Sequence, residues 1–150
     1  MTGLHNLQGF EEIIEKKLSD AANTNLKILM IELKGFNLYS EQNTKEKGDN
    51  LLKDIAQSIQ EHYPENSARI DSNRFAILSN TLSLESSNNL VNKIDNILSS
   101  TPNTTDVNVK ASVILLHDKE SAESVIERGE VLLHNIRLLL KPNKTGSKIA

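Results

Sequence analysis

The chain has 150 residues, a mass of 16.7 kDa, a net charge of -3 and a pI near 5.8. With 37% hydrophobic and 25% charged residues it can bury the core of one domain, and its acidic balance argues against a nucleic-acid binder built on a basic face. The absence of cysteine excludes disulfides, thiolate zinc sites and a Cys nucleophile, and a 3% aromatic content leaves the core to Leu, Ile and Val.

The longest apolar runs, Ile28-Leu29-Met30-Ile31 and Val113-Ile114-Leu115-Leu116, fall far short of the roughly 18–20 residues of a membrane span. The segment Met1 to Asn6 has neither the basic nor the apolar block of a secretory signal, so a cytoplasmic location is expected.

Asn6 is a good N-cap, and Phe10, Ile13, Ile14, Leu18 and Ala21 recur at helical spacing until Asn23-Thr24-Asn25. Leu26 to Leu33 is continuously apolar at its centre, as in a strand covered on both faces, and carries a carboxylate, Glu32, near its end. A polar stretch follows. Leu51, Leu52, Ile55 and Ile59 then mark a second helix that stops near Pro64.

Ser67 to Asp71 and Arg74 to Ser79 read as a hairpin turning at Ser72-Asn73. Leu90, Val91, Ile94, Ile97 and Leu98 line a third helix, and 99–105 form a loop. Val107, Val109, Ala111, Val113 and Leu115 alternate with Asn108, Lys110 and Ser112, the period of a strand. Ser121 caps a last helix whose stripe is Val125, Ile126, Leu132, Leu133, Ile136, Leu139 and Leu140, ended by Pro142; a short strand near Lys148 closes the chain.

From Leu26 to Leu116 the order is strand, helix, strand, strand, helix, strand. This predicts one α/β domain over 1–150: a ferredoxin-like βαββαβ core with a mostly antiparallel central sheet flanked by helices. Such a core sets the end of its first strand beside the tip of its central hairpin. Glu32 stands at the first point and Asp71-Ser72-Asn73-Arg74-Phe75 at the second.

The set of motifs in register resembles the GGDEF family, the diguanylate cyclase domains of bacterial c-di-GMP signalling. Thr2-Gly3-Leu4-His5-Asn6 with Phe10-Glu11-Glu12 is similar to its opening LTGLxNRxxFEE. Glu32-Leu33-Lys34-Gly35-Phe36 falls at its D-[LI]-D-x-F, and Gly48-Asp49-Asn50-Leu51-Leu52 at its G-D-x-L-L. Ala68-Arg69-Ile70 precedes the signature, Phe75-Ala76-Ile77-Leu78 continues it, and Arg128-Gly129-Glu130 resembles the RAD of its last helix.

The signature itself departs from the family. In place of GGDEF stands Asp71-Ser72-Asn73-Arg74-Phe75, which keeps only the Phe. The resemblance implies that two glycines, which would let the backbone approach a triphosphate, are replaced by side chains. The metal-holding acid becomes the neutral Asn73, a poorer ligand for a hard cation, with the fixed charge of Arg74 beside it. Two-metal activation of a ribose hydroxyl is expected to fail. Lys34 replaces a second acid, and His62-Tyr63-Pro64-Glu65 lacks the arginine of the family's inhibitory R-x-x-D.

The resemblance leaves other candidates. Asp49 and Ser40 fall where the family reads guanine, Arg137 and Lys141 where it holds phosphates, and Glu32 at a metal position. Without the register, Asp49, Arg137 and Lys141 equally suit helix-dipole positions, and Leu138-Leu139-Leu140 either core or an interface. His5, His62, His117 and His134 show no metal-ligand spacing. The leading expectation is a catalytically inactive regulatory or dimerisation module, requiring no cofactor and excised from a larger protein with an attached EAL phosphodiesterase or sensory domain. The alternatives are an allosteric receptor binding GTP with magnesium, and a residual diguanylate cyclase working as a homodimer.

Overall fold

The computed structural model describes residues 4–19, 25–117, 119–135 and the backbone of 148–149. Along the chain these form α1 (Leu7–Leu18), β1 (Lys27–Lys34), α2 (Phe36–Gln42), α3 (Lys45–His62), β2 (Ser67–Asp71), β3 (Arg74–Ser79), α4 (Leu84–Ser99), β4 (Asn108–Leu115), α5 (Ala122–Asn135) and β5 (Lys148–Ile149). The strand order is β2-β3-β1-β4-β5, antiparallel throughout except for the β4–β5 pair. This is the expected ferredoxin-like core, with α1 and α5 added around it.

Helix starts follow local chemistry. Asn6 accepts a hydrogen bond from the Gly9 N–H at 2.8 Å, as its type suggested. Thr44 caps α3 by accepting from the Lys47 N–H. Ser83 and Ser86 form a reciprocal capping box at the start of α4. Such a cap contributes about 1 kcal/mol, and it starts α4 six residues before Leu90, the first residue of the expected apolar stripe.

The strands alternate between two cores. Leu29, Ile31, Leu33, Phe75, Ile77, Val109 and Ala111 pack with α2, α3 and α4 on one face. Ile28, Met30, Ala76, Leu78 and Ile114 pack with α1 and α5 on the other. Burial on both faces explains the unbroken apolar centre of β1.

Several expectations need correction. The polar stretch after β1 contains α2, whose only buried side chains are Phe36 and Tyr39, too few for a visible period. The helix α1 ends at Leu18, and Ala21 lies outside the described residues. Lys110 and Ser112, the polar half of the β4 alternation, are buried beneath α5, whereas Leu115 is 45% exposed and Leu132 is 37% exposed. Alternation marks one wet face only when nothing covers it. Here Lys110 Nζ donates to the Leu133 carbonyl at 3.2 Å and Ser112 Oγ to that of Gly129 at 3.3 Å, so both polar groups find partners on α5.

The entry to α5 is fixed by Arg128. Its Nε and Nη2 both donate to the Glu120 carboxylate at 2.7 Å, and Nη2 also reaches the Leu115 carbonyl. The Arg128 hydrogen bond, against the cost of burial, holds the Glu120 carboxyl down at about 2, well below its ordinary 4.5. A depressed carboxyl stabilises the fold above the ordinary value, and that stability is lost as pH falls from about 4.5 towards 2. With Arg128 about one-third exposed, solvent screening reduces the contribution to about 1–2 kcal/mol. Urea titrations at pH 7 and pH 3 are expected to show a gap between wild type and Glu120→Gln that narrows in acid. A gap independent of pH would contradict this assignment.

Candidate functional site

At the C-terminal end of β1 the hairpin tip does lie alongside. The Leu33 N–H donates to the Asn73 carbonyl at 2.8 Å, and Asn73 Nδ2 donates to the Leu33 carbonyl at 3.1 Å. The side chain at the third signature position is thus turned onto the backbone of β1. The Ser72 N–H donates to Asp71 Oδ1 at 2.7 Å, and its hydroxyl donates to Asn37 Oδ1 of α2 at 3.2 Å. Arg69 Nη2 donates to the Ser72 carbonyl at 2.8 Å, so the turn is held from both sides.

Register places three charged residues in one row across the sheet. Glu32 of β1 pairs with Arg74 of β3 on one side and Lys110 of β4 on the other. Cross-strand partners project to the same face, here the one covered by α5. Arg74 Nε donates to Glu32 Oε1 at 2.9 Å and Nη1 donates to Glu130 Oε2 of α5 at 2.7 Å, with Asp71 Oδ2 3.7 Å from Nη1. The Glu32 side chain is only 13% exposed. Burial pulls the Arg74 guanidinium down, but the Glu32 hydrogen bond and the charges of Glu32, Glu130 and Asp71 outweigh it and raise its pKa.

The sequence-derived candidates thus fall into three groups. Glu32, Asp71 and Arg74 meet at one point, Asn73 next to them turns its amide onto the Leu33 carbonyl, and Phe75 points to the opposite core. Ser40 and Asp49 sit on the neighbouring helices α2 and α3, Asp49 exposed and Ser40 half-buried. Gly48 is packed so closely on Ser40 that an added Cβ would lie 2.9 Å from Ser40 Oγ. A hollow lined by Tyr39, Lys47, Asn50, Leu51 and Asp54 opens beside these helices, but neither Ser40 nor Asp49 lines it. Arg137, Lys141 and Leu138-Leu139-Leu140 lie outside the described residues.

Sequence reasoning missed Glu130 and Lys110. Glu130 was legible only as part of a three-residue match, and its partner Arg74 is 56 positions away. Lys110 looked like a solvent-facing strand residue. Alternation along β4 was the signal at hand, and alternation does not tell which face a later helix covers. Among the described residues, no three His, Asp or Glu side chains are arranged to hold a metal ion, and no helix is long and apolar enough to cross a membrane.

The sequence matches the family "Diguanylate cyclase, GGDEF domain" over residues 1–140. No curated protein matches it significantly. Solved structures with the same fold include a diguanylate cyclase/phosphodiesterase from Caldicellulosiruptor saccharolyticus, 18% identical, with 89% of this chain and 82% of that one covered at a TM-score of 0.70. The GGDEF domain of DgcB from Caulobacter crescentus, solved with c-di-GMP, is 18% identical over 89% of this chain and 85% of its own, with a TM-score of 0.73. The FimX GGDEF domain from Pseudomonas aeruginosa is 20% identical over 99% and 94%, with a TM-score of 0.71. At such identities these structures speak to the fold, and the match along the sequence speaks to the family. The chain belongs to the GGDEF family, the diguanylate cyclase domains of c-di-GMP signalling.

Proposed function

We propose that this GGDEF domain is catalytically silent and acts as a regulatory or dimerisation module within a larger c-di-GMP signalling protein. One observation carries the reading: the Arg74 guanidinium sits among the acids that metal-assisted phosphoryl chemistry would need, hydrogen-bonded to Glu32 and Glu130 at once. Two divalent ions that activate a hydroxyl and clamp a triphosphate require carboxylates open to both. Here the nearest carboxylate oxygens face a cation that cannot lose its charge. Asn73, in the position of the family's acid, donates its amide to Leu33, so it supplies no anionic ligand.

The residues present therefore do not suit magnesium at this point, and no step of cyclisation is assigned to them. The phosphodiesterase named alongside the cyclase in the Caldicellulosiruptor protein supports an attached EAL domain as the effector partner. A second reading, an allosteric receptor that takes GTP through Ser40 and Asp49, is tested by calorimetric titration with GTP and magnesium, where no heat of binding would end it.

The decisive experiment incubates the protein with GTP and magnesium and quantifies c-di-GMP by mass spectrometry. No product above a heat-denatured control is expected. The same result is expected for Asn73→Asp, because a restored acid there leaves Arg74 bound to Glu32 and the side chains of Asp71 and Ser72 in the turn. Product from wild type would overturn the silent reading. Product from Asn73→Asp alone would show that the missing acid, and not the guanidinium, silences the domain.

A further inference from the structure

A groove opens on the outer side of the α3–α4 pair, and none of its lining residues belongs to β1, β2 or β3. On the inside, Ile55, Ile59, Leu90 and Ile94 of the two helices join one core. On the outside the facing side chains are short, Ser58 against Ser100 and Thr101, and a hollow of about 470 Å³ is left between them. Two further hollows, of about 270 and 170 Å³, meet it at Thr101, which lines all three.

The α3 wall carries Asp54, Gln57 and Glu61, three and four residues apart and therefore on one stripe of the helix. All three are exposed, and Gln57 Nε2 donates to Glu61 Oε1 at 3.3 Å, which steadies the second carboxylate. The opposite wall offers half-buried Ile97 and exposed Asn96 and Ser100. Thr101 Oγ1 donates to the Ile97 carbonyl at 2.7 Å, and Thr104 Oγ1 to the Leu98 and Thr101 carbonyls, so this wall is fixed before any ligand arrives. Asp95 lines the hollow beyond Thr101, and Lys47, at the smallest hollow, is the single lysine or arginine among the described lining residues.

Such a lining repels anions and attracts cations. Asp54 and Glu61 stand seven residues apart on one helix, about 10 Å along its axis at 1.5 Å per residue. That separation is too long for one metal ion to bridge and equals about three residues of extended chain at roughly 3.3 Å each. We propose that this groove docks an extended segment of a partner protein that carries two basic side chains three residues apart, one at Asp54 and one at Glu61, with an aliphatic side chain between them on Ile97. The walls supply charge, hydroxyls and one apolar floor, the mixture that an extended peptide with alternating side chains can use. Both carboxylates are exposed, so each contributes modestly and the attraction is screened by salt. The inference does not depend on catalytic silence.

The test uses the 150-residue chain and a fluorescently labelled peptide, seven residues long and capped at both ends. The peptide holds two arginines three positions apart with a valine between them, the rest being threonine and alanine. Anisotropy titration is expected to give saturable, sub-millimolar binding that weakens as sodium chloride rises from roughly 0.05 to 0.5 M. A peptide of the same composition with adjacent arginines is expected to bind about threefold less tightly or worse, and one with glutamates in their place not at all. Asp54→Asn/Glu61→Gln, two surface changes expected to leave Tm unaltered, should weaken the first peptide by about fivefold or more. Glu46→Gln, an exposed α3 acid that lines none of the hollows, should leave its affinity unchanged.

No binding at millimolar peptide, equal affinity for the two arginine spacings, or equal loss in Glu46→Gln and the double variant would overturn the proposal. Self-association of the chain that competes with the peptide would give the groove to a second copy and overturn it as well. Measurement of c-di-GMP production, which decides the silent reading, is independent of all these outcomes.

Discussion

Gly35→Ala is expected to cost about 3 kcal/mol or more, a large share of the roughly 5–15 kcal/mol that keeps a domain folded. Gly35 joins β1 to α2 with φ at +91°, in the left-handed region where a Cβ is strained. Space adds to the strain: an ideal Cβ there would run into the backbone carbonyl oxygen of Asp106. Backbone cannot swing aside as the tip of a side chain can, so either the 104–107 turn or the start of α2 must move. That turn is itself fixed, with Thr104 Oγ1 bonded to the Leu98 carbonyl and the Val107 N–H to the Thr104 carbonyl at 2.9 Å. Urea denaturation should show the midpoint falling with an unchanged slope. A loss below about 1 kcal/mol would mean that the turn yields easily.

The same variant bears on the site. Gly35 follows the β1 residues that face the hairpin tip, and α2 carries Asn37 against Ser72 and Ser40 against Gly48. Shifting α2 would loosen both contacts while leaving the Arg74–Glu32 pair in place, since that pair depends on the register of β1 and β3. Gly35→Ala and Arg74→Ala are therefore expected to act on separate parts of this end of the molecule.

How much of this was legible beforehand follows from the range of the interactions. The hairpin bounds, Ser67 to Asp71 and Arg74 to Ser79, agree with the structure because a two-residue polar turn between two short runs is a local signal. The nearness of Glu32 to the tip followed from topology once the element order was known. The helix α2 escaped because seven residues with two buried side chains give no period. The burial of Lys110 escaped because it depends on α5 arriving overhead from beyond the strand, with a carbonyl to offer. Glu130 escaped for a related reason: a carboxylate in a helix looks solvated until the residue beneath it is known, and that residue is on β3. Local propensity sets elements; pairing of charges across them is decided by packing.

Phe75→Ala should destabilise the domain by about 3–5 kcal/mol, the range for deleting a fully buried phenylalanine. Phe75 has no solvent exposure and belongs to the core that β1, β3 and β4 share with α3 and α4. It is the one position of the GGDEF signature this chain keeps, and the pleat explains why. Arg74 points to the face under α5, where the rewritten residues meet, whereas Phe75, one step along, points the other way, into packed aliphatic side chains. The fold needs this residue whatever the chemistry of the position next door. Removing the ring would leave a cavity lined by neighbours that cannot all collapse onto it. Phe75→Leu, nearer in volume, should lose about 1–1.5 kcal/mol. Urea midpoints in which the two variants are equal, or both within about 1 kcal/mol of wild type, would show that Phe75 is not held by packing, and the reason offered here for its retention would fail.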